Sequence, residues 1–149
     1  MLKPTKILVP TDFSEYSDKA LKQALDIAKQ YDAKVFLLHV IEHDMSFILG
    51  LYPSYSEELV QLIKDRPRAE AEENLQNQLN RFPQVKEVEI VIKICQGVAY
   101  EEILEEAKEK GVDLIVIASL GRTGIAKYLI GGVARNVLRG SRCPVLLTK

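Results

Sequence analysis

The chain has 149 residues, 47% of them hydrophobic and 28% charged, with a net charge near −1. That length fits one domain over residues 1–149, able to bury roughly two-thirds of its unfolded surface. The charge balance excludes a global attraction to nucleic acid or to an anionic membrane, and no apolar run approaches the ~20 residues needed to cross a bilayer.

Met1-Leu2-Lys3-Pro4 leads into a short apolar strand and lacks the build of a signal peptide, so a cytoplasmic location is expected. The strand is Ile7-Leu8-Val9-Pro10, with proline tolerated where the ladder stops. Thr11-Asp12-Phe13-Ser14 reads as a turn, and Ser14 or Ser17 is placed to cap the next helix. That helix carries Ala20, Leu21, Ala24, Leu25, Ala28 and Tyr31 as an amphipathic stripe. Lys34 to Val40 is a second strand. Ile41 to Pro53, with His43-Asp44-Met45, Gly50 and Tyr52-Pro53, reads as a loop or short helix long enough to form a flap or contact surface. A helical pattern opens at Ser56-Glu57-Glu58-Leu59 and is interrupted or kinked by Pro67. It continues from Arg68 to Arg81 with Ala71, Leu75 and Leu79 as a narrow seam and its charges as a solvated face.

Val88 to Ile94 alternates apolar and charged residues, the pattern of an edge strand with one exposed face. Gly97 turns the chain into a helix over Tyr100 to Lys110 that buries Ile103, Leu104 and Ala107 and ends at Gly111. Leu114 to Ala118 is apolar throughout and reads as a strand buried on both faces, the habit of a parallel sheet. Gly121, Gly124, Gly131 and Gly132 follow within twelve residues. Val133 to Arg139 is then helical in spacing, with Gly140 at the position of a C′ cap. Val145 to Thr148 closes the chain as a last strand. Five strands alternating with helices imply a parallel sheet covered on both faces, joined by right-handed crossovers.

Buried strand, glycine-rich loop and helix N-terminus in succession present free backbone N–H groups and a positive dipole end to an anion. The spacing matches neither GxxxxGK[ST] nor GxGxxG, so the alternative is glycines that only build a long surface turn. Ala118-Ser119-Leu120-Gly121, nine residues, then Gly131-Gly132-Val133 resembles the nucleotide loop of the universal stress protein family. The pattern of that family's ATP-binding branch is Gly, two residues, Gly, nine residues, then Gly followed by Ser, Thr or Asn. Gly121 and Gly131 match; Ala118 stands at the first glycine and Gly132 at the hydroxyl or amide position. Lys6 to Ser14, Leu37 to Val40 and Cys143 to Leu147 extend the resemblance over nearly the whole chain.

The resemblance implies a Rossmann-like α/β fold of the adenine nucleotide alpha hydrolase type, with an open five-stranded sheet in the order 3-2-1-4-5. Strand order then reverses between the first and fourth strands, where ligands of such sheets sit. Pro10-Thr11-Asp12 and Ala118-Ser119-Leu120-Gly121 end those two strands. By resemblance Asp12 faces the nucleoside, bonding a ribose hydroxyl or the adenine edge or helping to hold hydrated magnesium; by itself it reads equally as a turn carboxylate capping the helix. Val40 forms an apolar wall for adenine or is simply core. Main-chain amides around Gly121, Gly131, Gly132 and Val133 hold phosphates, with Arg122 and Lys127 as counter-charge or as solvated loop cations. Ala118 and Gly132 predict weaker binding rather than none.

Chemistry beyond binding has little support. His39 reads as a core or interface histidine with a satisfied partner, and His43 has no metal-ligand spacing. Cys95 and Cys143 form no disulfide framework and read as small buried hydrophobes. No GxSxG elbow occurs, and Thr11-Asp12 offers a single carboxylate where a phosphoacceptor domain needs an acidic pair. Two readings remain. In one, ATP or a related adenine nucleotide, with or without Mg2+, acts as a regulatory switch, hydrolysis being slow at most, that reorganises the 41–53 or 121–131 loop. In the other, the same fold has lost the nucleotide and acts as a homodimeric interaction module for an unknown protein partner. Family resemblance and the apolar terminal strand Val145 to Thr148 both imply a twofold pair through that edge.

Overall fold

The computed structural model describes residues 2–42, 46–51, 53–121 and 130–149. Five strands form one parallel sheet: β1 (Lys6–Pro10), β2 (Lys34–Ile41), β3 (Ile90–Gln96), β4 (Leu114–Ala118) and β5 (Val145–Thr148), in the order β3-β2-β1-β4-β5. Leu8 pairs with Phe36 on one side and Ile115 on the other, so β1 and β4 lie side by side where the order reverses. Helices α1 (Glu15–Tyr31) and α3 (Glu57–Asn80) cover one face; α4 (Ala99–Lys110) and α5 (Gly132–Gly140) cover the other. The short α2 (Ser46–Leu51) follows β2.

Alternate residues of the central strands feed two separate cores, as the period-two pleat requires. Ile7, Val9, Val35, Leu37, Leu114 and Val116 pack with Leu21 and Leu25 of α1 and Leu75 of α3. Leu8, Phe36, Leu38, Ile115 and Ile117 pack with Ile103 of α4 and Val137 of α5. Both faces of β1 and β4 are therefore dry, which is why those segments show no polar alternation.

Several elements depart from the sequence pattern. Tyr31 leaves the α1 stripe: it closes the helix at 41% exposure, next to the left-handed cap Asp32. Pro67 does not end a helix, because α3 runs unbroken through it. No α3 residue before Ala71 is buried, so the helix carries the proline where no core packing depends on it. The third strand lies at the sheet edge but starts at Ile90, leaving Val88 and Glu89 outside it, and Val91 and Ile92 are both exposed, so the expected alternation does not hold. In α4, Leu104 and Ala107 are half-buried, and Glu106 is buried at 3% exposure, paired with Lys93 of β3. Beside them the Cys95 thiol is pushed up to about 11 by burial, then by the Glu102 carboxylate.

Gly140 is not a C′ cap. It is the last residue of α5, and Ser141 takes the cap position in extended geometry. A Cβ at Gly140 would lie 2.5 Å from Leu104 Cδ1, so glycine here lets α4 and α5 approach closely. Gly111, by contrast, closes α4 in the left-handed conformation expected of it, at φ 63°.

Candidate functional site

The turn after β1 is held from all sides. Thr11 is 5% exposed; its N–H donates to the Leu38 carbonyl at 2.8 Å, and its hydroxyl donates to Gln78 Oε1 at 3.0 Å while accepting the Phe13 N–H at 3.1 Å. The Thr11 carbonyl accepts from His39 Nδ1 at 2.8 Å, and because a carbonyl only accepts, that nitrogen carries the proton. Phe13 takes φ 66°, a left-handed conformation rare for a bulky residue, with its ring 4.4 Å from that of His39. His39 thus has the satisfied partner its strand position implied, although it is half-buried rather than core.

Asp12 is the turn carboxylate its position allowed, and it also lines the cleft described below. Its Oδ1 accepts from the Ser14 N–H at 3.0 Å and from the Ser17 hydroxyl at 2.5 Å, while its own N–H donates to Ser17 Oγ. Ser14 is the N-cap of α1, accepting from the Ser17 N–H. The second carboxylate oxygen meets the other rim: a Cβ at Gly121 would lie 2.5 Å from Asp12 Oδ2. Gly121 therefore makes room for a carboxylate, a reason its spacing in the glycine pattern did not reveal.

On the opposite rim, β4 ends at Ala118, and Ser119 is tied down by its N–H to the Thr148 carbonyl at 2.8 Å. The Ser119 carbonyl accepts the Gly131 N–H at 2.7 Å. This corrects the expectation that the Gly131 amide holds phosphate, since that donor is already committed within the loop. Gly131 is instead the N-cap of α5, extended at φ −60° and ψ 156°, with no side-chain cap. The first helical bond runs from the Arg135 N–H to the Gly131 carbonyl, so the amides of Gly132, Val133 and Ala134 open the helix. A Cβ at Gly132 would meet nothing within 4 Å. Ala134 was absent from the sequence-based set, as was Arg135, whose guanidinium donates to the Ile130 carbonyl at 3.4 Å beside this terminus. Arg122, Lys127 and Gly124, like His43, Asp44, Met45 and Tyr52, lie outside the described residues.

Between the rims lies an open cleft of about 580 Å3. Pro10, Thr11, Asp12, Val40, Ala118, Ser119, Gly121, Gly131, Gly132 and Val133 all line it, so every sequence-selected residue within the described part reaches one cavity. A wall that sequence reasoning missed comes from α3, through Pro67, Glu70, Ala71 and Asn74. The only cue was Pro67 inside a helical pattern. Ala99 and Ile103 of α4 close the far side. The volume lies within the ~300–1,000 Å3 range of small-molecule sites. Among the described residues no group of three His, Cys, Asp or Glu side chains could hold a metal ion, and no helix is long and apolar enough to cross a membrane.

Comparison with known proteins agrees with this architecture. A sequence model described as the universal stress protein family matches residues 4–149. Universal stress protein MJ0531 of Methanocaldococcus jannaschii is 38% identical over 97% of this chain and 81% of its own. YxiE of Bacillus subtilis is 33% identical over 97% of this chain and 98% of its own. The solved structure of MJ0577, from the same archaeon, superposes with a TM-score of 0.82 at 33% identity, covering 99% of this chain and 97% of that one. A universal stress protein in complex with cAMP and one from Archaeoglobus fulgidus in complex with dAMP share the fold, at TM-scores of 0.68 and 0.66 with 22% and 19% identity; each covers 99% of this chain, which covers 98% and 100% of theirs. With its reversed-order parallel sheet, its glycine-bounded rim and a match spanning nearly every residue, the chain belongs to the universal stress protein family.

Proposed function

We propose that this chain binds ATP, or a closely related adenine nucleotide, in the cleft between β1 and β4 and uses it as a regulatory switch in the stress response. One observation carries the reading: the first three residues of α5, whose amides have no partner within the helix and no side-chain cap, line a cleft whose opposite rim holds the anchored Asp12 carboxylate. Well-aligned N–H bonds to a phosphate contribute about 1.5–3 kcal/mol each, and the helix dipole adds to them. Asp12 and Val40 would face the nucleoside, and Gly132, Val133 and Ala134 the phosphates. Asp12 would also be the residue to steady hydrated magnesium. That relatives of this fold were solved with cAMP and dAMP supports an adenine nucleotide as the ligand class. The free thiols Cys95 and Cys143 suit a reducing cytoplasm.

A second reading, an interaction module without nucleotide, is favoured by Gly132, which offers no hydroxyl, and by the committed Gly131 amide. Mass spectrometry of small molecules released from purified protein, with calorimetric titration of ATP and Mg2+, decides between them. Saturable heat with ATP supports the switch; an empty protein giving no heat leaves the module. In either case β5 is an edge strand, and pairing of two copies along it would cover its open ladder. Light scattering behind size exclusion would show a dimer at micromolar concentration, and a monomer would refute the pairing.

A further inference from the structure

We infer that Gln78 of α3 is a positioning residue for the nucleotide cleft, fixing the β1–α1 turn from beneath and thereby the place of Asp12. The inference rests on the nucleotide reading above and adds to it an element that reading does not use. Gln78 is 1% exposed on a helix whose other charged and amide residues face solvent. A buried amide persists only when both its donor and its acceptor are satisfied. Both ends of Gln78 are spent on one job. Its Oε1 accepts the Thr11 hydroxyl at 3.0 Å, and its Nε2 donates to Asp18 Oδ1 at 2.9 Å. Arg81, the C-cap of α3, donates to both oxygens of Asp18, at 2.8 and 2.9 Å.

The geometry then passes to the cleft by direct bonds. Because the Thr11 hydroxyl gives its proton to Gln78, its lone pairs are turned to accept the Phe13 N–H at 3.1 Å. That bond spans Asp12 and holds Phe13 at φ 66°. Asp18 sits in the first turn of α1, whose Ser14 and Ser17 grip the Asp12 carboxylate. Gln78 therefore braces the loop on one side of Asp12 and the helix start on the other. The same helix supplies Ala71 and Asn74 to the cleft wall, so α3 both lines the cavity and sets its acidic rim.

The test is a set of coupled variants read by calorimetry with ATP and Mg2+, with thermal unfolding as the check on the fold. Gln78→Leu is expected to weaken ATP about tenfold, the worth of one well-formed hydrogen bond. In an Asp12→Asn background the same change should cost little further, because a positioning residue acts through the group it positions. Both accounts expect a lower melting temperature, but a purely structural role would leave the two affinity losses additive. If Gln78→Leu fails to fold, Thr11→Val, which removes the bond to Gln78 together with the one from the Phe13 N–H, is read in its place. Additive losses or unchanged affinity overturn the positioning role while wild-type binding stands. No heat with the wild-type protein overturns the nucleotide reading and this inference together.

Discussion

Gly121→Ala is a one-methyl change whose sign separates two accounts of that glycine. Gly121 is not among the positive-φ glycines, so alanine fits its backbone without strain. On backbone grounds alone the change should stabilise by about 0.4–1 kcal/mol, through a less flexible unfolded chain. The new methyl, however, would stand 2.5 Å from Asp12 Oδ2, about 1 Å inside van der Waals contact. The carboxylate has to turn away, and turning strains its Oδ1 bonds from Ser14 and Ser17. Losing one such bond to a charged acceptor costs about 1.5–3 kcal/mol. The balance is a net loss of about 1 kcal/mol, read as a melting temperature lower by about 2–4 °C at this chain length. In an Asp12→Ala background the obstacle is gone, and the same Gly121→Ala change should raise the melting temperature slightly. Differential scanning calorimetry of the four proteins gives both numbers. If Gly121→Ala stabilises with Asp12 present, or has one sign in both backgrounds, the contact does not govern the site.

The remaining predictions concern neighbouring features. Gly132→Ser adds a hydroxyl where a Cβ meets nothing within 4 Å, and should tighten ATP by about three- to tenfold in a calorimetric titration. Gly140→Ala gains helix propensity but drives a methyl into Leu104, so urea unfolding should show a net loss of about 1–2 kcal/mol, much of it recovered by adding Leu104→Val. Burial would raise the Asp113 carboxyl, but bonds from the Thr5 hydroxyl and the N–H groups of Thr5 and Lys6 hold it below the ordinary 3.8. A depressed folded-state value gives stability that is present above the unfolded value and lost as pH falls through the folded one. Asp113→Asn should accordingly flatten the acid limb of the stability profile below about pH 4. The Cys95 thiol, raised to about 11, should alkylate slowly in the folded protein at pH 8 and at the ordinary thiol rate once unfolded.

The sequence carried the strands and most helices because their patterns are local. β1 and β4 are apolar without alternation, and α1 repeats its alanines and leucines every turn, each a direct imprint of burial. Likewise, the two strand-end turns, the glycines at the start of α5 and Val40, read with the family resemblance, named ten residues that share the cleft. What escaped was set by tertiary contact. Nothing in a run of Glu, Gln and Asn marks Gln78 as interior; only the approach of the β1–α1 turn makes it so. Glu106 looks like one more helix carboxylate until Lys93 of β3 comes beneath it. Gly131 was read for its missing side chain, while its amide was already engaged by Ser119. Gly140 has the position of a stop signal and the function of a spacer between helices.

The uneven packing of α3 bears on how the protein opens. Ala71, Leu75, Gln78 and Leu79 anchor its second half, whereas Leu62 before Pro67 stands 65% exposed and no residue of the first half is buried. That half is held by the Ser56 cap, the pairing of Gln61 with Asp65, and the Arg66–Glu70 pair, each worth about 0.3–1 kcal/mol. Its backbone amides should thus exchange with solvent deuterium far sooner than those after Ala71, through fraying that leaves the sheet intact. Within α3, a protease would cut between residues 57 and 66 while the segment that bears Gln78 stays closed.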